Sequence, residues 1–141
     1  MRKFKFTLEK VLEYRKMLEE EAQGAYMNCK ARRIEEQSIL MDINVKKNFQ
    51  LGTQSMHLEA YKSKELYLVR LDDEERSQKS IISILEDEEE NARLLWIERR
   101  KETKAIEKLY DKQYSEWLLE ANRAEQNELD EFAIQKRSIW A

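Results

Sequence analysis

Almost nothing in this chain can stop a helix. Its 141 residues contain no proline and two glycines, Gly24 and Gly52. Chain reversals draw on Gly, Pro, Asn and Asp for their special backbone angles, so the sequence has room for very few of them. Strong helix formers dominate what remains. A charged fraction of 39% would by itself suit a disordered segment, but it comes with 41% hydrophobic residues set at helical spacing. Long helices paired as a coiled coil are the fold that these properties specify.

The best breaker cluster is NFQLGTQS, residues 48–55. Gly52 suits the position just past a helix end, and Thr53 or Ser55 can cap the helix that follows. The expectation is an all-α, antiparallel two-helix coiled-coil hairpin forming a single domain over residues 1–141. Its helices run over about 7–50 and about 56–138, the second longer than the first, with a turn over about 51–55. Thr7 is the expected N-cap of the first helix, with Phe6 and Val11 at hydrophobic-staple spacing around it. The first helix carries an apolar stripe through Leu8, Val11/Leu12, Leu18, Ala22, Ala25/Tyr26, Cys29, Ile39/Leu40 and Ile43, interrupted by Arg15, Arg32 and Glu36. The second carries a heptad series from Tyr61 through Leu68, Glu75, Ile82, Glu89, Trp96, Thr103, Tyr110 and Trp117 to Ala124. The companion series is Leu71, Gln78, Leu85, Ala92, Arg99, Ile106 and Gln113. As a seam this is poor, because acids, amides and an arginine stand where a stable coiled coil has Leu or Ile.

A turn near residue 53 places residue n opposite roughly residue 106 − n, and Leu8 opposite Glu98. The first helix then runs out while about 40 residues of the second continue, roughly 60 Å of helix. That segment carries Trp117, Leu118, Leu119, Leu129, Phe132, Ile134 and Trp140. Large apolar side chains on an unpaired helix mark an interaction surface, so Trp117, Leu118 and Phe132 are candidate partner contacts. Arg15, a fixed charge inside an apolar stripe, either meets a partner or carries its head to water along that stripe.

Net charge is −3 and the pI is about 5.5, which speaks against a dedicated nucleic-acid binder. The sign is unevenly spread. Residues 1–16 carry six basic side chains against two acidic ones, so the remainder sums to −7. A basic start of this kind suits an acidic partner or an anionic surface. One cysteine, Cys29, excludes an intrachain disulfide. The charged start has no apolar stretch of signal-peptide type, and no run approaches the ~18 apolar residues of a membrane span. A cytoplasmic chain is expected.

Catalytic and metal chemistry find little here. The two glycines form no phosphate-binding loop. His57, the single histidine, has no metal-ligand spacing around it. The acidic run EDEEE, residues 86–90, points round the helix in every direction, unlike a calcium loop. Arg100, Lys104, Lys108 and Lys112 form a basic row, but Glu98, Glu102 and Glu107 lie among them, as on a charged coiled-coil flank. No enzyme and no cofactor are expected.

Both ends of the chain resemble the flagellar export protein FliJ family. At the start, FKFTLEKVLEYRKMLEEEA matches the family opening through Phe6, Leu8, Val11, Leu12, Arg15 and Ala22. At the end, RAEQNELDEFA matches its closing stretch through Arg123, Glu125, Gln126, Leu129, Asp130, Glu131, Phe132 and Ala133; RRKETKAIEKLYDK between them is of the family type. The resemblance implies an antiparallel coiled coil similar to the gamma-subunit stalk of F-type ATP synthase. It implies a stalk set in the hexameric flagellar export ATPase and reaching toward the cytoplasmic domain of the export gate, with export chaperones as further partners. The location it implies is cytoplasmic, peripheral to the inner face of the cell membrane. By analogy the ATPase meets Phe6, Leu8, Arg15, Trp117, Leu118, Arg123, Gln126, Asp130 and Phe132. Carried over by register, the gate and chaperone positions beside the turn are Gln37, Met41, Tyr67 and Leu71, with Ile43 and Phe49 as alternative counterparts.

Other readings of the same pattern are the equivalent stalk of a virulence-type secretion system, a self-associating structural or chaperone-like coiled coil, and a membrane-surface helix at the basic start. A prefoldin-type holdase needs β-strands at its turn, and FQLGTQSM is too short for them.

Overall fold

The computed structural model describes residues 3–54 and 57–140, with side chains as far as Ile139. Two helices, α1 (Glu9–Gly52) and α2 (Leu58–Trp140), make up the fold as a helical hairpin with the second helix the longer. Tertiary packing divides into two compact units, one of residues 1–19 with 99–141 and one of residues 20–98.

In the second unit the α2 seam is the one that the heptads specify. Leu71, Gln78, Ile82 and Leu85 are buried, and Leu68, Glu75, Glu89, Ala92 and Trp96 are half-buried. Tyr61, the first member of the series, is exposed. The facing seam of α1 takes Ala22, Tyr26, Cys29, Arg33, Glu36, Leu40, Ile43 and Lys47. Arg33 stands in it, and Arg32, the expected interruption, points outward; a strict alternation of three- and four-residue steps selects the second arginine.

The polar residues that made the seam look weak meet one another across it. Arg33 Nε donates to Glu89 and its Nη1 to Gln37 Oε1 at 2.9 Å. Lys47 Nζ lies 2.6 Å from Asp72 and 3.1 Å from Glu75. Gln78 Nε2 donates to the Glu36 carbonyl at 2.9 Å and also to its carboxylate. Except for Arg33–Gln37, which lies within α1, each pairing satisfies one register and leaves others with unpaired charges, which is how polar seam residues specify alignment at a cost in stability. Trp96 stacks on Tyr26 with ring centroids 5.5 Å apart, and its indole N–H is buried without an acceptor among the described residues.

In the first unit Thr103, 2% exposed, donates its hydroxyl hydrogen at 3.1 Å to the Arg99 carbonyl and lies 3.3 Å from that of Arg15. Arg15, with 35% of its side chain still exposed, reaches across to α2. Its Nη1 sits 2.7 Å from Glu102 Oε2, and Arg99 approaches the same carboxylate at 3.4 Å.

The helix ends differ from expectation. The first helical bond of α1 runs from the Leu12 N–H to the Leu8 carbonyl, so Leu8, and not Thr7, takes the N-cap position. Phe6 is buried against Tyr110, whereas Val11 is exposed, so the helix entry is fixed by α2 and not by a local staple. Gly52 lies inside α1 without a left-handed φ. The helix is closed by Thr53, whose N–H and hydroxyl both donate to the Gln50 carbonyl, at 3.3 and 2.9 Å. Ser55, the other candidate cap, lies outside the described residues; the first bond of α2 runs from Tyr61 N–H to the His57 carbonyl.

The register is also displaced. In the first unit, pairs such as Arg15–Glu102 and Phe6–Tyr110 place residue n opposite about 117 − n. In the second, contacts from Glu36–Gln78 and Thr53–Lys64 to Arg33–Glu89 and Tyr26–Trp96 sum to between 114 and 122, so residue n lies opposite about 118 − n. The expected value of 106 assumed that α2 pairs from its first residue. It does not: Leu58 and Tyr61 are exposed, and the α2 residue that meets Thr53 is Lys64, whose Nζ donates to the Thr53 carbonyl. Leu8 therefore lies near Tyr110 and not Glu98. The unpaired end of α2 shrinks from about 40 residues to about 23, Leu118 onward, or roughly 35 Å.

Candidate partner-binding surfaces

In the first unit the non-helical residues 3–6 continue along α2, and Phe4 joins an aromatic cluster. Its ring meets Tyr110 at 5.4 Å and Tyr114 at 5.3 Å edge-on, and Trp117 at 5.9 Å with a 53° tilt. Tyr110 and Tyr114 are stacked at 6.3 Å, and Tyr114 and Trp117 at 6.0 Å. Edge-on and offset ring pairs add to the burial of area itself. Trp117, expected on the bare overhang, is thus half-buried and packed within its own chain. Phe4 precedes the helix, so no helical periodicity marks it. The signal that points to the cluster is the spacing of Tyr110, Tyr114 and Trp117, steps of four and three on one helix face.

Past Trp117 the surface changes. Leu118, Leu119, Leu129, Phe132, Ile134 and Ile139 are all exposed, with no part of α1 opposite. Arg123 is exposed among them, and Gln126 Nε2 donates to Asp130 Oδ1 at 3.2 Å one turn on. Of the expected contacts here, Phe6 is buried, Leu8, Arg15 and Trp117 are half-buried in intrachain packing, and Leu118, Arg123, Gln126, Asp130 and Phe132 face outward.

In the second unit Gln37 and Met41 are exposed and Tyr67 is half-buried, while Leu71, at 2%, lies in the seam. Of the alternatives, Phe49 faces outward and Ile43 is buried. Ionisable groups here are held by ion pairs. Hydrogen bonds from Lys79 and then Lys47 keep the Glu75 carboxyl below its ordinary value, and Asp72 and Glu75 raise Lys47. Arg93 lowers Glu90. Within the acidic run, Glu89 and Glu90 are thus engaged by arginines, and residues 86–88 are exposed. Among the described residues no group of three His, Cys, Asp or Glu side chains is placed to hold a metal ion, and no helix is long and apolar enough to cross a membrane.

These features define a helical-hairpin protein whose longer second helix carries exposed apolar side chains past the end of the pairing. The model of the family described as Flagellar FliJ protein matches residues 4–138, nearly the whole chain, and the chain belongs to that family. Membership makes it a protein related to flagellar export. No curated protein and no solved structure matches the chain.

Proposed function

We propose that this chain is a non-enzymatic coupling component of the flagellar protein export apparatus. It binds the hexameric export ATPase through the first unit, and the export gate and export chaperones through residues beside the turn. The observation that carries this reading is the unpaired end of α2. Six large apolar side chains, Leu118, Leu119, Leu129, Phe132, Ile134 and Ile139, stand exposed there, and apolar surface on that scale is a liability unless another protein covers it. A hairpin has no rotational symmetry, so one copy seated in a six-membered ring makes the ring subunits inequivalent. Binding energy from the unpaired helix favours the assembled ring over free subunits by mass action. Gln37, Met41 and Tyr67 offer the turn-side contacts, with Leu71 packing the helices that carry them. The chain's place at the membrane follows from the gate, through partners and not through a span of its own.

Copurification with the export ATPase tests this. Truncating an aromatic anchor at an interface commonly costs ~2 kcal/mol, about thirtyfold in affinity. Phe132→Ala and Arg123→Ala should weaken the complex while leaving the helical signal unchanged, since both side chains are exposed. Failure of the unaltered chain to bind the ATPase at any ionic strength would remove the proposal. A mass that rises with concentration, and falls back in Phe132→Ala, would turn the same surface into a self-association face.

A further inference from the structure

The side of α1 facing away from α2 carries a second helical repeat that the pairing leaves unused. Within the second unit, Gly24, Met27, Ala31, Ile34, Ser38, Met41, Val45, Asn48 and Gly52 follow one another at alternating steps of three and four. That is the spacing of a coiled-coil seam, set on the face opposite the occupied one. All nine positions are exposed, and Ile34 and Met41 are exposed to 52% and 69%. None of the nine is charged, in a chain that is 39% charged. Outward position alone does not explain this. The corresponding series on α2 in the same unit reads Val69, Asp73, Arg76, Ser80, Ser83, Asp87, Glu90 and Leu94, half of it charged.

The sizes alternate too. Gly24, Ala31 and Ser38 recur every seven residues, with Met27, Ile34 and Met41 between them. A Cβ added at Gly24 would meet nothing within 4 Å, so the chain's own packing does not require glycine there. Glycine inside a helix costs stability, and it is useful where another backbone must come close.

The rows bordering the stripe say what kind of helix fits. One is Glu21, Asn28, Glu35 and Asp42; the other is Gln23, Lys30, Gln37 and Asn44. The three acids of the first row make no ion pair among the described residues. In an antiparallel pairing of two copies this acidic row faces itself, and in a parallel pairing it faces a row with Lys30 as its single cation. A helix with basic side chains along the flank meets it without like-charge contacts.

We propose that the outer face of α1 from Gly24 to Gly52 docks an amphipathic helix of another protein, one with basic residues flanking its apolar seam. The inference deepens the turn-side reading above, with which it shares Gln37 and Met41, by naming the form and charge of the partner.

The test measures binding of fluorescent synthetic helices to the full chain by anisotropy. The probes are a leucine-seam helix flanked by lysines, the same seam flanked by glutamates, and a lysine-flanked helix with alanine in the seam. The first should bind at least about tenfold tighter than the other two. Gly24→Leu should melt no lower than the parent, yet bind the lysine-flanked helix at least about tenfold more weakly. Ile34→Glu should do the same to binding, and Phe132→Ala should bind like the parent. Equal affinity for lysine and glutamate flanks, or undiminished binding by Gly24→Leu and Ile34→Glu, would overturn the proposal. So would a concentration-dependent dimer abolished by Ile34→Glu, which would give the face to a second copy. None of the probes carries export-gate sequence, so this result and that of a gate-binding assay fail separately.

Discussion

Trp96 shows how a single side chain can be both well packed and poorly satisfied. Its ring stacks on Tyr26, while its N–H is buried without an acceptor among the described residues, and a buried donor left unpaired costs about 1–3 kcal/mol. Trp96→Phe keeps an aromatic ring and removes the donor, so its stability should stay within about 1 kcal/mol of the parent, whereas Trp96→Ala should lose about 2–3 kcal/mol. Thermal or urea unfolding of the two variants decides the matter; equal losses would mean that the N–H finds a partner in solution. Gly24 makes the complementary case. With open space around an added Cβ, Gly24→Ala should stabilise the isolated chain by about 0.5–1 kcal/mol.

The elements reveal what periodicity can and cannot specify. The α2 seam from Leu68 to Trp117 is legible because its members fall on two paired heptad series, one through Leu68, Ile82 and Trp96 and one through Leu71, Gln78 and Leu85. The choice of Arg33 over Arg32 required the phase of α1, which its broken apolar stripe does not state. The register was hidden for another reason. Nothing in NFQLGTQS says that α2 begins pairing only near Lys64, and a shift of that size moves Trp117 from bare surface into the Phe4 cluster. The outer stripe of α1 is written in the sequence as well, but two repeats on one helix cancel each other's amphipathic signal. Ion pairs across the seam and beside it, Lys47 with Glu75 and Asp72 between the helices and Lys79 with Glu75 along α2, make its strength depend on pH. Glu75 is held below the ordinary carboxylate value, so its contribution is complete above about pH 4.5 and is lost as pH falls through the depressed value. Lys47 is raised, so its share is complete below about pH 10.5 and is lost above it. The melting midpoint should hold across the range between and fall in acid, and Glu75→Gln should flatten the acid limb. An unchanged acid limb in that variant would show that the pair contributes nothing to pH dependence.

For the molecule as a whole, the residues that stabilise the hairpin and those proposed to bind partners are largely different sets. Buried and half-buried positions on α2 run from Lys64 to Ala121, and beyond Ala121 every described side chain is exposed. The helix continues there on backbone hydrogen bonds and propensity alone, which hold an isolated helix only marginally in water. Its amides should therefore exchange with solvent faster than those of residues 68–103, where two helices share a seam. The stronger consequence concerns removal. A chain ending after Ala121 loses Leu129, Phe132, Ile134 and Ile139 but no cross-helix hydrogen bond, ion pair or ring contact among the described residues. Its unfolding free energy should stay within about 0.5 kcal/mol of the parent, while its copurification with the export ATPase should be lost. Calorimetry and the binding assay on the same preparation separate the possibilities. A large drop in stability would mean that the distal helix folds back on the hairpin, and full binding by the shortened chain would move the docking surface onto the paired helices.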